Sequence, residues 1–416
     1  MKTHDLKGHY SRTILIEKPD QTWHLLKGGA VNAGAEFGME VSVAAEGTRI
    51  VLDGRIDNSV GGVDSDADET SIVINGHVKP TLYGLSVEGD GSIVSIGKSG
   101  VLSVASDPQG YAVWIGGDSS KFVNRGLVEN NLIVMTGIGD TAVNAGVIDA
   151  ASETAFSVQG LNGHVINTAT GRITANYGVY SNGNVNVTFD NHGVLKATQH
   201  VAYLSGDSWD TIVSDGRLVG DIEAFGGNDT VVLMGGTFKG HYYGGEGDDT
   251  LYTDNARYTL EEFAGQGDAD AIYSSVSYTL PGNVERLTLI GKRFGGIGDD
   301  EISGNSGNNV LRGRAGDDRL DGLAGNDRLF GADGEDVFVA RFHGRFRGGH
   351  DTIEDFHQGE DAILLWDWAI GMDFEHILAH AHDTADGVAI RADHSEVLIK
   401  GMTMGELTGD DFHIAV

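Results

Sequence analysis

The 416-residue chain has no cysteine, so neither a disulfide nor a thiolate-bound metal can staple its fold. Its four prolines are too few for a proline-rich linker or a low-complexity disordered class. Cations are scarce as well: 28 Lys and Arg stand against 61 Asp and Glu, a formal net charge of -33. That imbalance repels DNA, RNA and anionic membrane surfaces, so no nucleic-acid partner is expected. A folded chain with this much carboxylate also repels itself, and divalent cations are the simplest remedy. No apolar run reaches about 18 residues, and the start MKTHDLKGHYSRTILIEKPDQTW has no signal-peptide core. Membrane insertion and Sec export are therefore not expected; a cytoplasmic place, or export through a C-terminal signal, stays open.

What is abundant is glycine. Its 63 residues are about twice the usual share of roughly 7%. A Gly-x-(Val/Ile/Leu) phrase recurs at Gly54, Gly76, Gly100, Gly126, Gly146, Gly171, Gly193 and Gly216, in steps of 20 to 26 residues. Several copies carry an Asn two places earlier: Asn124, Asn144 and Asn191. Each phrase runs into a short alternating apolar stretch, such as GVIDAASETAFSV, which suits a strand. One phrase per coil, with no long amphipathic helix, predicts a parallel β-helix. An antiparallel sandwich would also give short, evenly spaced strands, but not the recurring phrase.

From about residue 205 an acidic turn joins the period, at Asp210, Asp229, Asp249 and Asp270. Five contiguous nonapeptides then run from Gly295 to Val339: GGIGDDEIS, GNSGNNVLR, GRAGDDRLD, GLAGNDRLF and GADGEDVFV. Glycine at the first and fourth places allows backbone conformations closed to residues with a Cβ, so carbonyl oxygens can converge. The sixth-place acid adds a carboxylate. The eighth place (Ile302, Leu311, Leu320, Leu329, Phe338) is apolar and belongs on a strand facing the core. Each nonapeptide makes one turn and one strand, so repeats eighteen residues apart should stack at about 4.8 Å. A cation between stacked turns would collect oxygens only, which is calcium chemistry rather than that of magnesium or a transition metal.

These nonapeptides resemble the RTX (repeats-in-toxin), hemolysin-type calcium-binding β-roll, matching Gly-Gly-x-Gly-x-Asp-x-(aliphatic)-x. In that family one turn supplies places two, four and six, and the turn eighteen residues on supplies places one, three and five. The resemblance thus implies that Gly296, Gly298 and Asp300 face Gly313, Ala315 and Asp317. It implies that Arg314, Gly316 and Asp318 face Gly331, Asp333 and Glu335, with Asp327 and Asp336 as further sixth-place acids. On the other edge Asn305, Gly307 and Asn309 would face Gly322, Ala324 and Asn326, a weaker site because Asn309 lacks the charge. In the longer coils Gly245, Gly247 and Asp249 would face Gly265, Gly267 and Ala269. Phe225, Gly227 and Asp229 would face Gly244, Glu246 and Asp248.

GGHDTIEDFHQGEDAILL (Gly348 to Leu365) resembles the segment closing β-rolls in this family and in serralysin-type C-terminal domains, and GMTMGELTGDDFHIAV resembles an uncleaved type I secretion signal. The resemblance implies export through type I machinery, with calcium binding outside the cell driving folding. His376, His380 and His382 fall at spacings that could place two imidazoles on one helical face. DSDADE (Asp64 to Glu69) imitates the start of an EF-hand but has Asn75 at the twelfth place; it reads as a protruding acidic loop. No His-Glu-x-x-His, Gly-x-Ser-x-Gly or phosphate-loop motif occurs. Polysaccharide-active β-helices are joined to RTX rolls in the alginate epimerases, which makes Asp53, Asp57, Glu129 and Asp149, with Tyr111, Trp114, Tyr177 and Tyr180, candidates for sugar chemistry.

The expectation is an all-β solenoid. A right-handed parallel β-helix (1–204) continues through transitional coils with acidic turns (205–294) into a β-roll (295–339), then a cap with the export signal (340–416). The expected function is a secreted protein binding several calcium ions and acting non-catalytically at a cell surface or on extracellular polysaccharide. A glycan-active enzyme and an RTX toxin or bacteriocin are the alternatives.

Overall fold

The computed structural model describes residues 2–105, 110–130, 132–183, 185–290, 299–342, 349–366, 374–392 and 394–414. The chain forms two compact units, Met1–Tyr243 and Gly244–Val416.

The first unit is a parallel β-solenoid. In one sheet Arg49, Ser71, Ile93, Lys121, Thr141, His164, Thr188, Thr211 and Thr230 are successive partners in register, one per coil. One place further along, Ile50, Ile72, Val94, Phe122, Ala142, Val165, Phe189, Ile212 and Val231 form a buried apolar column. The strands are β-branched and aromatic and alternate inside and outside, as a pleated strand with one face on a core must. The Gly-x-(Val/Ile/Leu) phrases open the strands of a second sheet, where Arg55, His77, Val101, Leu127 and Val147 are successive partners. Every strand pair of the first unit among the described residues is parallel, which leaves no place for the sandwich.

The recurring glycine answers to crowding, not to backbone handedness. A Cβ built on Gly76, Gly126, Gly146, Gly193 or Gly216 would lie 1.9 to 2.3 Å from the carbonyl oxygen of the glycine one coil before. Beside it stands a buried asparagine ladder: Asn124, Asn144 and Asn167 each donate Nδ2–H to the Oδ1 of the next Asn at 2.8 to 2.9 Å, and Asn191 donates to Ser214 Oγ at 3.0 Å. Asn167 belongs to this ladder although it stands four places before its glycine, where the phrase gives no hint of it. DSDADE does not protrude. Ala67 is buried, Glu69 adopts φ +53°, and Thr70 Oγ1 donates to Ala67 O, so the segment is an ordinary turn of its coil.

The second unit begins with a parallel sheet in which Thr250, Ala271, Arg286, Val310, Arg328 and Thr352 are successive partners. A second parallel sheet stacks Glu301 on Arg319 and Val337. The coil in the nonapeptide block is therefore eighteen residues, as its period dictates. Ile302, Leu311, Leu320, Leu329 and Phe338 are all buried. Asp321, buried between coils, takes two bonds from the Arg341 guanidinium, at 2.8 and 2.5 Å. The far end is an antiparallel hairpin, Gly387–Ala392 with Ser395–Lys400, whose second strand also continues the parallel sheet beside His350–Ile353. Phe412–Ile414 adds a last strand to Ala362–Trp366. Among the described residues helix is confined to Phe374–His380 and a 3-10 turn at Gly409–Asp411, and no helix is long and apolar enough to cross a membrane.

Candidate metal centre

The sixth-place residues of the nonapeptides precede the strands and stack in two columns. On one edge Asp300, Asp318, Asp336 and Asp361 follow one another; on the other Asn309, Asp327 and Asp351 do. Each carboxylate reaches back one coil. Asp318 Oδ1 accepts the Asp300 N–H (3.0 Å), Asp336 Oδ1 the Asp318 N–H (2.9 Å) and Asp361 Oδ1 the Asp336 N–H (3.0 Å). Asp327 Oδ1 accepts the Asn309 N–H (2.7 Å), and Asp351 Oδ1 the Asp327 N–H (3.0 Å). The fifth places run a ladder in the opposite sense: Asp317 Oδ1 accepts the Glu335 N–H at 2.8 Å, and Asn308 Oδ1 the Asn326 N–H at 2.8 Å.

The first oxygens are thus satisfied. The second oxygens, Oδ2 of Asp318, Asp327 and Asp336, are buried and meet no hydrogen-bond donor among the described residues. All three residues are only 1% exposed. A buried carboxylate oxygen without a donor is costly, and a cation is the partner that relieves several at once. Burial first, and then the neighbouring carboxylates, push Asp318 up to about 7 and Asp336 up to about 6, and raise Asp327.

The glycines show why the repeat is spelled as it is. Fourth-place Gly316, Gly325 and Gly334 have φ of +116°, +123° and +145°. First-place glycines need no such angle; their reason is the carboxylate itself. A Cβ on Gly313, Gly322 or Gly331 would lie 2.0 to 2.2 Å from the Oδ2 of Asp318, Asp327 or Asp336 in the same turn. The second-place residues Arg314, Leu323 and Ala332 also have positive φ, 68° to 89°. Alternating handedness aims successive carbonyls to one side, and a Cβ on Gly334 would lie 2.1 Å from Gly316 O in the turn below. Buried carboxylate oxygens with converging carbonyls are an all-oxygen donor set, which fits calcium.

Other residues expected at sites fall differently. Gly296 and Gly298 lie outside the described residues. At Asn305, Gly307 and Asn309 the protein closes its own polar groups: Asn309 Oδ1 accepts the Asn305 N–H (2.8 Å), and Asn305 Oδ1 accepts the Gly307 N–H (2.7 Å) and Asn309 Nδ2–H (3.1 Å). Asn326, opposite, is engaged by the His350 N–H. Gly313, Ala315, Gly331 and Asp333 lie in paired coils, with Ala315 opposite Asp333 in register. In the longer coils Gly267 stacks on Gly247, and Asp249 N–H donates to Asp270 Oδ1 at 2.7 Å. Thr250 pairs with Ala271, so Ala269 is an extra residue between the fifth and sixth places and the sixth-place acid is Asp270. Gly245 and Gly265 share positive φ, +103° and +86°, rather than occupying opposed places. Asp229 accepts the Asp210 N–H at 2.6 Å and lies, with Phe225 and Gly227, in the first unit; Gly244, Glu246 and Asp248 open the second.

His376 and His380 share one helix at i and i+4, and His382 does not. The helix ends at His380, whose Nδ1 is bonded to the His376 carbonyl, and His382 lies on the following strand. Asp53 is held by His24 and Asn75, and Asp57 by Arg55. Glu129 and Asp149 are partners in register, in a different column of the sheet from Trp114 and Tyr180.

The family profile described as RTX calcium-binding nonapeptide repeat (4 copies) matches residues 243–259, 294–329 and 313–341. No curated protein matches the chain. Among solved structures the chain is similar to the extracellular lipase LipA from Serratia marcescens, at 18% identity and a TM-score of 0.20, over 56% of this chain. It spans 40% of the length of that lipase. With nonapeptides that stack at eighteen residues, turns that present donorless carboxylate oxygens, and that profile on the same residues, the chain carries RTX calcium-binding nonapeptide repeats, and these form a β-roll.

Proposed function

We propose that the chain is a secreted protein whose second unit folds on calcium outside the cell and whose first unit binds extracellular polysaccharide or a cell surface without catalysis. The observation that carries the calcium half is the column of buried Oδ2 atoms at Asp318, Asp327 and Asp336. With little free calcium in a cytoplasm these turns repel themselves; outside, a cation that binds only the folded state stabilises it by RT ln(1 + [Ca]/Kd), about 2.7 kcal/mol per site at a hundredfold excess over Kd. Type I export needs such an unfolded passenger, and the segment similar to its signal becomes the final strand, Phe412–Ile414, once folded.

The binding half rests on a cleft of about 320 Å³ lined by Tyr111, Trp114, Val134, Ser157, Gln159 and Tyr180. Trp114, Val134, Ser157 and Tyr180 are successive partners in register, which sets two aromatic platforms three rungs, about 14 Å, apart. Aromatic faces with polar neighbours suit a sugar chain lying along the strand stack.

The second reading, a glycan-active enzyme, is favoured by a different group on the same sheet. Glu40 and Asp64 are partners in register, and Ser86 and Trp114 continue their column. Burial, and then the charges of Asp64 and Asp66, raise Glu40 and Glu88, and burial raises Asp64. Adjacent rungs put carboxylates near the separation of about 5 to 5.5 Å used by retaining glycosidases. A shortened polymer after incubation would favour this reading; retention without cleavage favours binding.

The first experiment is a calcium titration of the full chain followed by far-ultraviolet circular dichroism and hydrogen exchange. Exchange protection from residue 244 onward should appear only with calcium. Full protection there in chelator would sink the coupled-folding reading.

A further inference from the structure

At the start of the second unit, outside the tandem nonapeptides, three buried acids meet: Asp249, Glu262 and Asp270 each bring one carboxylate oxygen to within 4.8 Å of the others. Two are sixth-place acids of stacked coils. Glu262 comes from Leu260–Glu261 and its following turn, outside any repeat position.

Glu262 is held for the purpose. Its Oε2 accepts the Gly245 N–H at 3.3 Å, and its backbone carbonyl accepts Asn283 Nδ2–H at 2.9 Å. Its Oε1 is buried with no donor among the described residues, as is Oδ2 of Asp270, and the two residues are 8% and 1% exposed. The space around them is reserved by a glycine: a Cβ on Gly244 would lie 2.0 Å from Glu262 Oε1 and 2.4 Å from Asp249 Oδ2. No Lys or Arg pairs with Glu262 or Asp270 among the ion pairs of the described residues; the Arg286 charge favours the Asp270 carboxylate, but its guanidinium bonds the Ala269 carbonyl. Glu262 and Asp270 thus each bury a carboxylate oxygen that meets no donor among the described residues, beside the carboxylate of Asp249, an arrangement the fold has built rather than avoided.

We propose that Asp249, Glu262 and Asp270 form a discrete side-chain cation centre for a hard divalent ion, calcium in preference to magnesium, that binds more tightly than the turns of the tandem repeats. Three carboxylates exceed the charge of one divalent ion, so a trivalent ion of similar size is held more tightly still. A small ion that insists on octahedral waters gains less from a dry site. The centre shares calcium with the repeat reading but adds Glu262, which no repeat position supplies, so the two can fail separately.

The test uses the full chain, with calcium and then lanthanum followed by isothermal titration and by counting the calcium released. In the wild-type chain one calcium should exchange for lanthanum ahead of the rest. Glu262→Gln should abolish that tight class, weakening it tenfold or more, while the remaining calcium binding and the β-structure at saturating calcium persist. Glu262→Asp, which keeps the charge on a shorter arm, should fall between. Asp336→Asn should do the reverse, sparing the tight class and weakening the others. If the Glu262→Gln isotherm superimposes on wild type while Asp336→Asn is weakened, the centre is refuted and the repeat reading stands. If no calcium binds to the wild-type chain, both fall. If lanthanum exchanges with all ions alike, the separate centre is also refuted, and that measurement needs no variant to fold.

Discussion

Each unit builds the same kind of corner, and the two finish it differently. In the first, the residues just before the strands of the first sheet include Thr70, Ser92, Ser120 and Asp140. Thr70 N–H donates to Ser92 Oγ at 3.1 Å, Ser92 N–H to Ser120 Oγ at 3.0 Å and Ser120 N–H to Asp140 Oδ1 at 2.9 Å. This is the ladder of the second unit, with hydroxyls where the roll has carboxylates. At two of its acids the first unit supplies the second donor itself: Asp140 Oδ2 accepts the Gly137 N–H at 3.0 Å, and Asp210 takes its own coil's Ser205 and Ser208 hydroxyls. The roll leaves the second oxygen open. What separates the Asp140 and Asp210 corners from those of Asp318, Asp327 and Asp336 is therefore not acidity but a single missing donor per turn.

The largest effect expected from breaking that contrast is at Asp318. Asp318→Ala removes the acceptor of the Asp300 N–H together with the open oxygen. Losing a charged partner is worth roughly 1.5 to 3 kcal/mol, so the calcium midpoint for folding of the second unit should rise by about ten- to a hundredfold, with the first unit unmoved. An unchanged midpoint in the dichroism titration would mean the column is not the cation site. Next is Asn144→Ala, which strands Asn124 Nδ2–H and Asn167 Oδ1 in the core. A cost of about 1 to 3 kcal/mol is expected, identical with and without calcium. A calcium-dependent cost, measured by denaturant unfolding, would show that the units are not independent in this respect.

The smallest effect is a pH slope in the first unit. Burial first, then Asp118 and Asp90, push Asp140 up to about 6. A carboxyl whose folded value lies above its unfolded one favours folding while protonated, so its contribution is full below about 4 and is lost as pH rises to about 6. Urea midpoints should fall across that window in wild type and fall less steeply in Asp140→Asn. The same slope in the variant would assign it to other groups.

Much of this was legible in the sequence, for definite reasons. A period of eighteen with an apolar eighth place can only be read one way once strands must stack in register, and Leu311 over Leu329 is the result. The recurring Asn was visible at Asn124, Asn144 and Asn191 because it keeps its spacing to glycine; at Asn167 the turn is two residues longer and the pattern breaks, although the hydrogen bond does not. Glu262 had no signal at all, since it reaches its partners from a segment with no repeat phase. Ala269 misled by a single residue: counting back from the motif makes it a ligand place, whereas the backbone loops it out and hands the sixth place to Asp270. The first-place glycines were read as conformational and proved to be spatial, because sequence shows that a side chain is missing but not what stands in its place.

The corner ladder of the first unit is indifferent to the length of chain it closes. Its bonds span 22 residues from Thr70 to Ser92, 28 from Ser92 to Ser120, 20 from Ser120 to Asp140 and 19 from Asp210 to Asp229, with donor and acceptor meeting each time. Insertions and deletions between corners are thus tolerated in a way that the eighteen-residue coils of the roll, with both edges committed, do not allow. A lineage carrying such a chain can remodel the surface of the first unit by small indels, while the tandem nonapeptides can change only by gaining or losing whole coils.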